Sequence, residues 1–354
     1  MKKRILIDGV IFGLQKAGGI SRLFAEILHG LEERLSNNSE WEVFLLIPKN
    51  QNVEYEELYG SLKKIKVIKR RRFRWGKESF FRQSLYLTFL AWRYRPHLWH
   101  SSYYVGFPLY FCRHKIVTYH DMIAEIENIA TPYESRLKYL SLKKSDKIFS
   151  VSHHSKKDLL EFWPEFANKT EVVTNCISLK EEGKSLPSPY FLFVGRRRGY
   201  KNFLFCVKQI LEDVRFKEHC IYAVGGEEEV SSEELSLERV KWLKTRPFSE
   251  VKELMMHSAA LLFPSLYEGF GFPVLEAFHY GVPVLAYNTS SIPEIAGEEY
   301  PLVDPNHPND LTSVLERLIN EREKWILYGK KRETLFSREK LIETLINHYE
   351  QHAL

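Results

Sequence analysis

Cysteine is scarce: 354 residues hold four, Cys112, Cys176, Cys206 and Cys220. They form no CxxC pair and share no zinc-like spacing with histidine, which argues against a zinc ribbon or a disulfide scaffold. Scattered cysteines in so long a chain fit a reducing compartment. No window approaches the ~18 consecutive apolar residues of a membrane span, so no spanning helix is expected. The opening MKKRILIDGVIF begins with positive charge, but Asp8 breaks the apolar run and no small-residue cleavage site follows. It reads as a first β-strand rather than a signal peptide. Low-complexity tracts and collagen-like repeats are also missing. These absences lead to the expectation of a cytoplasmic globular protein.

What is present is ordinary in amount and informative in order. Hydrophobic residues make up 44% and charged residues 27%, as in soluble enzymes. A chain of 354 residues exceeds one core, so two domains are expected. Ile5–Asp8, Val43–Ile47, Ile116–Tyr119 and Ile148–Val151 read as buried strands. Between the first two, Ile20, Leu23, Phe24, Ile27, Leu28 and Leu31 recur at helical spacing. The polar stretch SLKEEGKSLPSP (178–189) is the best linker. The alternation then restarts, with strands at Tyr190–Val194, 221–224, 260–263 and Val282–Ala286 and a helix at 203–214. Strands alternating with helices predict an α/β protein with parallel sheets. Two such halves predict a ligand cleft between them. The last segment, 311–354, reads as helical and either caps the second half or crosses back to the first.

Two stretches of the second half carry chemistry. The first is EGFGFPVLEAFHYG (268–281). Pro273 suits the first turn of a helix and Gly281 its C-terminal end. Gly269, Phe270 and Gly271 then form the turn that opens the helix. Glycines there let another molecule approach the backbone, and exposed N–H groups favour an anion or an electron-rich oxygen. Glu268 and Glu276 sit among apolar neighbours, and carboxylates accept hydrogen bonds from vicinal hydroxyls of sugars and riboses. The second stretch is FVGRRRGYKN (193–202). Arg196, Arg197, Arg198 and Lys201 crowd a strand-to-helix loop behind Gly195, with Asn202 as its N-cap. Such cations suit phosphate. Taken alone, either stretch reads more simply as solvated arginines or as a glutamate complementing a helix dipole. In order, after strands, the two describe a ligand with two phosphates and two polyhydroxylated rings, a nucleotide-sugar.

These residues resemble the group 1 (GT4-type) family of retaining GT-B glycosyltransferases. The hallmark acid-x7-acid motif is Glu268-GFGFPVL-Glu276, and the G-R…K-N loop is Gly195-Arg196…Lys201-Asn202. The likeness runs through nearly the whole chain and is most specific over 264–297. It implies the GT-B fold, with two Rossmann-like domains facing across a cleft. The domains would be 1–180 on the acceptor side, 187–335 for the nucleotide-sugar, and a C-terminal helix at 336–354. It further implies that Glu276 binds ribose hydroxyls and Glu268 faces the donor sugar. Arg196 and Lys201 would neutralise the diphosphate, and backbone amides from Gly269 through Phe270, Gly271 and Phe272 would meet the sugar. Val224–Gly226, centred on Gly225, and the stretch Thr245–Phe248, with Arg246, Pro247 and Phe248, would flank the base. In the first half, AGGISR places Gly18 and Gly19 near the diphosphate, and TYHD places His120 at the transferred sugar with Asp121 beside it. SVSHHSKKDL places Ser152 and Ser155 on the acceptor side. Two departures from the family pattern are His153, where an acid is common, and Cys176, where glycine is common.

The implied reaction is retaining transfer of a mannose- or glucose-type hexose from a UDP- or GDP-linked donor to a glycan or lipid-linked acceptor. Cell-surface polysaccharide or lipopolysaccharide assembly is the expected setting. No Asp-x-Asp pair stands out, so no metal or other cofactor is expected. Two alternatives stay open: a nucleotide-sugar-binding protein without transfer activity, and an epimerase on the same architecture. Charge adds a partner. LKKIKVIKRRRFRW (62–75) carries eight Lys and Arg and no acid, and an aromatic-rich helical pattern follows at 77–96. Lys63–Arg74 therefore resembles a contact with an anionic membrane, or else an exposed basic strand beside a core helix. No nucleic-acid motif accompanies the charge, so no nucleic-acid partner is expected.

Overall fold

The computed structural model describes residues 2–15, 18–35, 40–48, 55–70, 79–179, 189–226, 230–244 and 248–352. They form two compact units, Met1–Ser178 with Phe336–Leu354, and Leu179–Leu335. The first unit holds β1 (Lys3–Asp8), β2 (Trp41–Pro48), β3 (Lys66–Arg70), β4 (Leu98–Ser101), β5 (His114–Tyr119), β6 (Lys147–Ser150) and β7 (Thr170–Val172). They pair in the order β3-β2-β1-β4-β5-β6-β7, every pair parallel. The second unit holds β8 (Tyr190–Val194), β9 (Cys220–Val224), β10 (Val240–Leu243), β11 (Ala260–Phe263) and β12 (Val284–Ala286). Their order is β10-β9-β8-β11-β12, again all parallel.

Central strands covered on both faces lose the polar alternation of a half-exposed strand. Leu6, Ile7, Leu45, Leu46, Leu98, Trp99, Ile116 and Val117 are all 0–1% exposed. Each sheet reverses its strand order once, between β1 and β4 in the first unit and between β8 and β11 in the second. At such a switch point the two connecting loops diverge to opposite faces and leave a crevice at the carboxyl ends of the strands.

The polar 62–75 run resolves in part. Lys66–Arg70 is the edge strand β3, where lysines discourage pairing with another chain. The residues 71–78 lie outside those described. The aromatic pattern that follows is the helix Phe80–Tyr94.

The C-terminal helix Arg338–His352 belongs to the first unit, against the helix Gly19–Leu35. Gly30 makes this contact possible, since a Cβ there would lie 2.3 Å from Ile342 Cγ1. Inside, Tyr349 Oη is 2.6 Å from His100 Nδ1, and His100 Nε2 is 2.8 Å from Thr118 Oγ1. All three residues are buried, and both imidazole nitrogens find partners.

Burial pushes the His100 imidazole down to about 3 and that of His120 down to about 4. Both are therefore neutral in the folded unit at pH 7. Below the unfolded value of 6.5 the unfolded chain takes up protons that the folded one refuses. Stability should be complete above that pH and fall as pH drops towards 4, by up to ~1.4 kcal/mol per pH unit for each histidine. Urea unfolding at a series of pH values measures this. A flat profile between pH 7 and 5 would contradict it.

Candidate active site

Strand β8 ends at Val194 and the chain turns at Gly195, whose φ is +126°. Gly195 N–H bonds Val224 O at 2.9 Å, and Gly225 N–H bonds Leu243 O at 3.1 Å, so the ends of three strands are laced together. A Cβ on Gly195 would meet nothing within 4 Å, so the space beside this turn is open.

The three arginines that follow divide. Arg197 is 6% exposed. Its Nε donates to Glu234 Oε1 at 3.0 Å, its Nη1 donates to Gly225 O at 2.9 Å, and its guanidinium lies 5.4 Å from the Trp242 ring centroid. Burial disfavours charge on Glu234, but the Ser231 N–H and the Arg197 guanidinium outweigh it and hold that carboxyl below its usual range. Arg197 is thus a structural strut, not the phosphate ligand its company suggested. Arg196 and Arg198 are exposed.

Lys201 comes next, its side chain 15% exposed. Its Nζ lies 2.5 Å from Glu268 Oε1, and the Glu268 side chain is 12% exposed. The two sequence motifs therefore meet, one after β8 and the other after β11, at the switch point of the sheet. A backbone bond from Leu266 N–H to Tyr200 O at 2.7 Å fastens the same two loops. Asn202 does occupy the N-cap of the helix Phe203–Glu212, but in left-handed conformation and with no capping bond from its side chain.

The loop before the helix Phe272–His279 is held from a third direction. Glu268 N–H donates to Ser290 Oγ at 2.9 Å, and Thr289 Oγ1 donates to Leu266 O at 3.2 Å. Ser291, fully buried, places its Oγ 2.6 Å from Phe270 O and 2.9 Å from Glu268 O, with one proton to share between them. Gly271 stands at the N-cap with φ +121°, and a Cβ there would come 2.9 Å from Ile292 Cδ1. Pro273 falls in the first turn and Gly281 follows the C-cap Tyr280 with φ +69°. Gly269 and Phe270 are buried, Phe272 is half-buried, and Glu276 is 7% exposed in the second turn. The sequence reading missed this hydroxyl clamp. Its signal was the run NTSS (288–291) directly after a strand, where short hydroxyl side chains satisfy backbone groups.

Near the base-flanking stretches, Gly225 has φ +93° and packs against Gly195. Arg246 and Pro247 lie outside the described residues, and Phe248 opens the helix Phe248–Met256.

In the first unit the named residues follow β1, β5 and β6. His120 is 4% exposed and its Nε2 lies 3.0 Å from Ser102 O. A carbonyl only accepts, so Nε2 carries the proton and Nδ1 the lone pair. Ser102 Oγ donates to Asp8 O at 2.6 Å, and Tyr104 Oη accepts from His120 N–H at 3.1 Å. Ser155 Oγ donates to His120 O at 3.1 Å. Ser152 caps the helix His153–Phe162 by accepting from Ser155 N–H at 3.0 Å. Both serines are fully buried and act here as the frame of a helix start. Asp121 is half-buried, with Oδ1 accepting from Ile123 N–H at 3.1 Å and its carbonyl accepting from Lys138 Nζ at 3.0 Å. Gly18 and Gly19 open the helix Gly19–Leu35, where Gln15 Oε1 accepts from Ser21 N–H at 3.3 Å.

Comparison with known proteins decides the family. The model of glycosyl transferases group 1 matches residues 177–332, and that of Glycosyltransferase Family 4 matches residues 17–181. This chain belongs to the group 1, family 4 glycosyltransferases. The resemblance read from the acid-x7-acid and G-R…K-N motifs is borne out. The O-antigen chain mannosyltransferase B of Escherichia coli is 33% identical over 113 residues, which are 31% of this chain and 30% of that protein. The match thus spans less than a third of that relative. Among solved structures, a sucrose-phosphate synthase from Thermosynechococcus elongatus superimposes with a TM-score of 0.73 at 17% identity, covering 99% of each chain. Anabaena HepE in complex with UDP-glucose gives 0.72 at 14% identity, covering 98% of this glycosyltransferase and 99% of HepE. At these identities the likeness is one of fold, and the fold is GT-B.

The two glycines of the site differ in a checkable way. Gly271→Ala meets both left-handed backbone strain, about 1–3 kcal/mol, and the Ile292 side chain. Gly195→Ala meets only the strain. Thermal melts should show the larger loss for Gly271→Ala, and equal losses would contradict the packing described.

Proposed function

We propose that this glycosyltransferase moves a hexose of mannose or glucose type from a UDP- or GDP-linked donor to a glycan or lipid-linked acceptor in cell-surface polysaccharide assembly. In this reading configuration is retained, no metal takes part, and the work is done on the cytoplasmic side. Family membership supports transfer, and the O-antigen mannosyltransferase named above supports the setting. The observation that carries the reading is the Lys201–Glu268 pair at the switch point, with Arg196 exposed on the same loop.

The bond between the anomeric carbon and the diphosphate oxygen breaks. A bond forms from an acceptor hydroxyl to that carbon, and the hydroxyl proton passes to the departing diphosphate. Negative charge grows on the leaving oxygen, and Arg196 and Lys201 stabilise it as preorganised cations. Glu268 fixes Lys201 before the donor arrives and presents its second oxygen to the sugar. Glu276 accepts from the ribose hydroxyls, and the N–H groups at Phe270–Phe272 add the positive end of a helix. Gly225 and Phe248, with Arg246 and Pro247, flank the base, and Gly18 and Gly19 approach the diphosphate. His120, neutral at pH 7, serves the sugar as a hydrogen-bond partner rather than as a cation. Asp121, Ser152 and Ser155 support the acceptor side through the backbone they hold.

Release of nucleoside diphosphate in the presence of acceptor tests this. Lys201→Ala and Glu276→Ala should each lower turnover by about 10²–10³ while circular dichroism stays native. Turnover kept in both variants would overturn the reading. Donor conversion without acceptor would mark an epimerase, and binding without release a carrier.

A further inference from the structure

The helix Phe80–Tyr94 is apolar on two faces. Leu87, Leu90 and Ala91 are buried on one. Phe81, Leu85, Phe89 and Trp92 follow at i, i+4, i+8 and i+11 on the other, and are 61%, 50%, 56% and 49% exposed. Single exposed apolar residues are ordinary, but a continuous stripe of four large ones marks a contact surface.

The segment after β4 extends the stripe. Leu109 N–H bonds Thr88 Oγ1 at 2.8 Å, and the Arg95 guanidinium sits 4.5 Å from the Phe111 ring centroid, so this turn is fastened to the helix. At its tip Tyr110 is 69% exposed and Phe111 45%. Phe111 has φ +66°, a strained conformation for a bulky residue, and still leaves its ring in the open.

Among the described residues, the charged side chains on this helix and the turn fastened to it are all basic. Arg82 and Arg93 are exposed on the helix, Arg95 at its C-cap and Arg113 directly before β5. From Ser79 to His120 the sequence contains no Asp or Glu. Two copies of the chain meeting through this face would bring like charges together. A surface of lipid phosphates would instead complement it, and tryptophan, tyrosine and arginine are the side chains that settle at the headgroup level.

We propose that this face docks on an anionic lipid bilayer, the aromatic rings entering the headgroup region and the arginines meeting lipid phosphates. The helix has 15 residues and lies in the interface, and among the described residues no helix is long and apolar enough to cross a membrane. The inference rests on exposure and charge and holds whichever sugar is moved.

The test is sedimentation of the full chain with vesicles of phosphatidylcholine alone, or with about one third phosphatidylglycerol. Wild type should pellet with the anionic vesicles at low salt and be released near ~1 M salt, where charges are screened within about 3 Å. The triple variant Phe81→Ser, Phe89→Ser, Trp92→Ser should keep its circular dichroism and partition at least about tenfold less. Three results would overturn the proposal. Wild type could stay in the supernatant. The variant could pellet as well as wild type. Ultracentrifugation could show a wild-type dimer that the variant breaks, with no lipid binding by either.

Discussion

One ion pair organises the second unit. Lys201 and Glu268 stand 67 residues apart, yet their charged atoms lie 2.5 Å apart at the point where the sheet reverses its strand order. Both side chains are mostly withdrawn from water, where removing one partner from such a pair typically costs about 3–5 kcal/mol. The pair therefore needs two loops of fixed shape, and most of the local structure serves that need. Arg197 fastens the first loop to Glu234 and to the carbonyl of Gly225. Ser290 and Ser291 fasten the second. Gly195 and Gly271 make the turns that side chains would obstruct or strain.

The first unit spends its polar groups differently. His120, Ser152 and Ser155 are buried and bonded to one another's backbone or to neighbouring carbonyls. His100 ties the sheet to the C-terminal helix through Tyr349. These groups fix a surface in place, whereas Lys201, Glu268 and Arg196 supply charge. Under the proposed function, that contrast matches a half that shapes an acceptor site and a half that carries the electrostatics of bond cleavage.

The sequence disclosed the architecture through periodicity. Strands such as β1, β2, β8 and β11 announced themselves as apolar runs. Strands β3, β4, β7 and β10 were harder to see. Lysines mask β3 and β10, β7 is only three residues long, and β4 carries His100 and Ser101 among its four residues. The site was legible where residue type and order coincide, as in the glycine turn and the two acids. It was illegible where function depends on partners distant in sequence. Nothing local distinguishes Arg197 from Arg196, since the difference is Glu234, Trp242 and the Gly225 carbonyl. The serine clamp was equally hidden, because its hydroxyls act on carbonyls about twenty residues upstream.

Under the proposed function, the two loops converge to hold a nucleotide-sugar by its diphosphate. The most direct measurement is a crystal structure with bound UDP or GDP. The diphosphate should lie within hydrogen-bond reach of Arg196 and Lys201, with the ribose hydroxyls on Glu276. A nucleotide bound elsewhere, with those three side chains turned from it, would contradict the account.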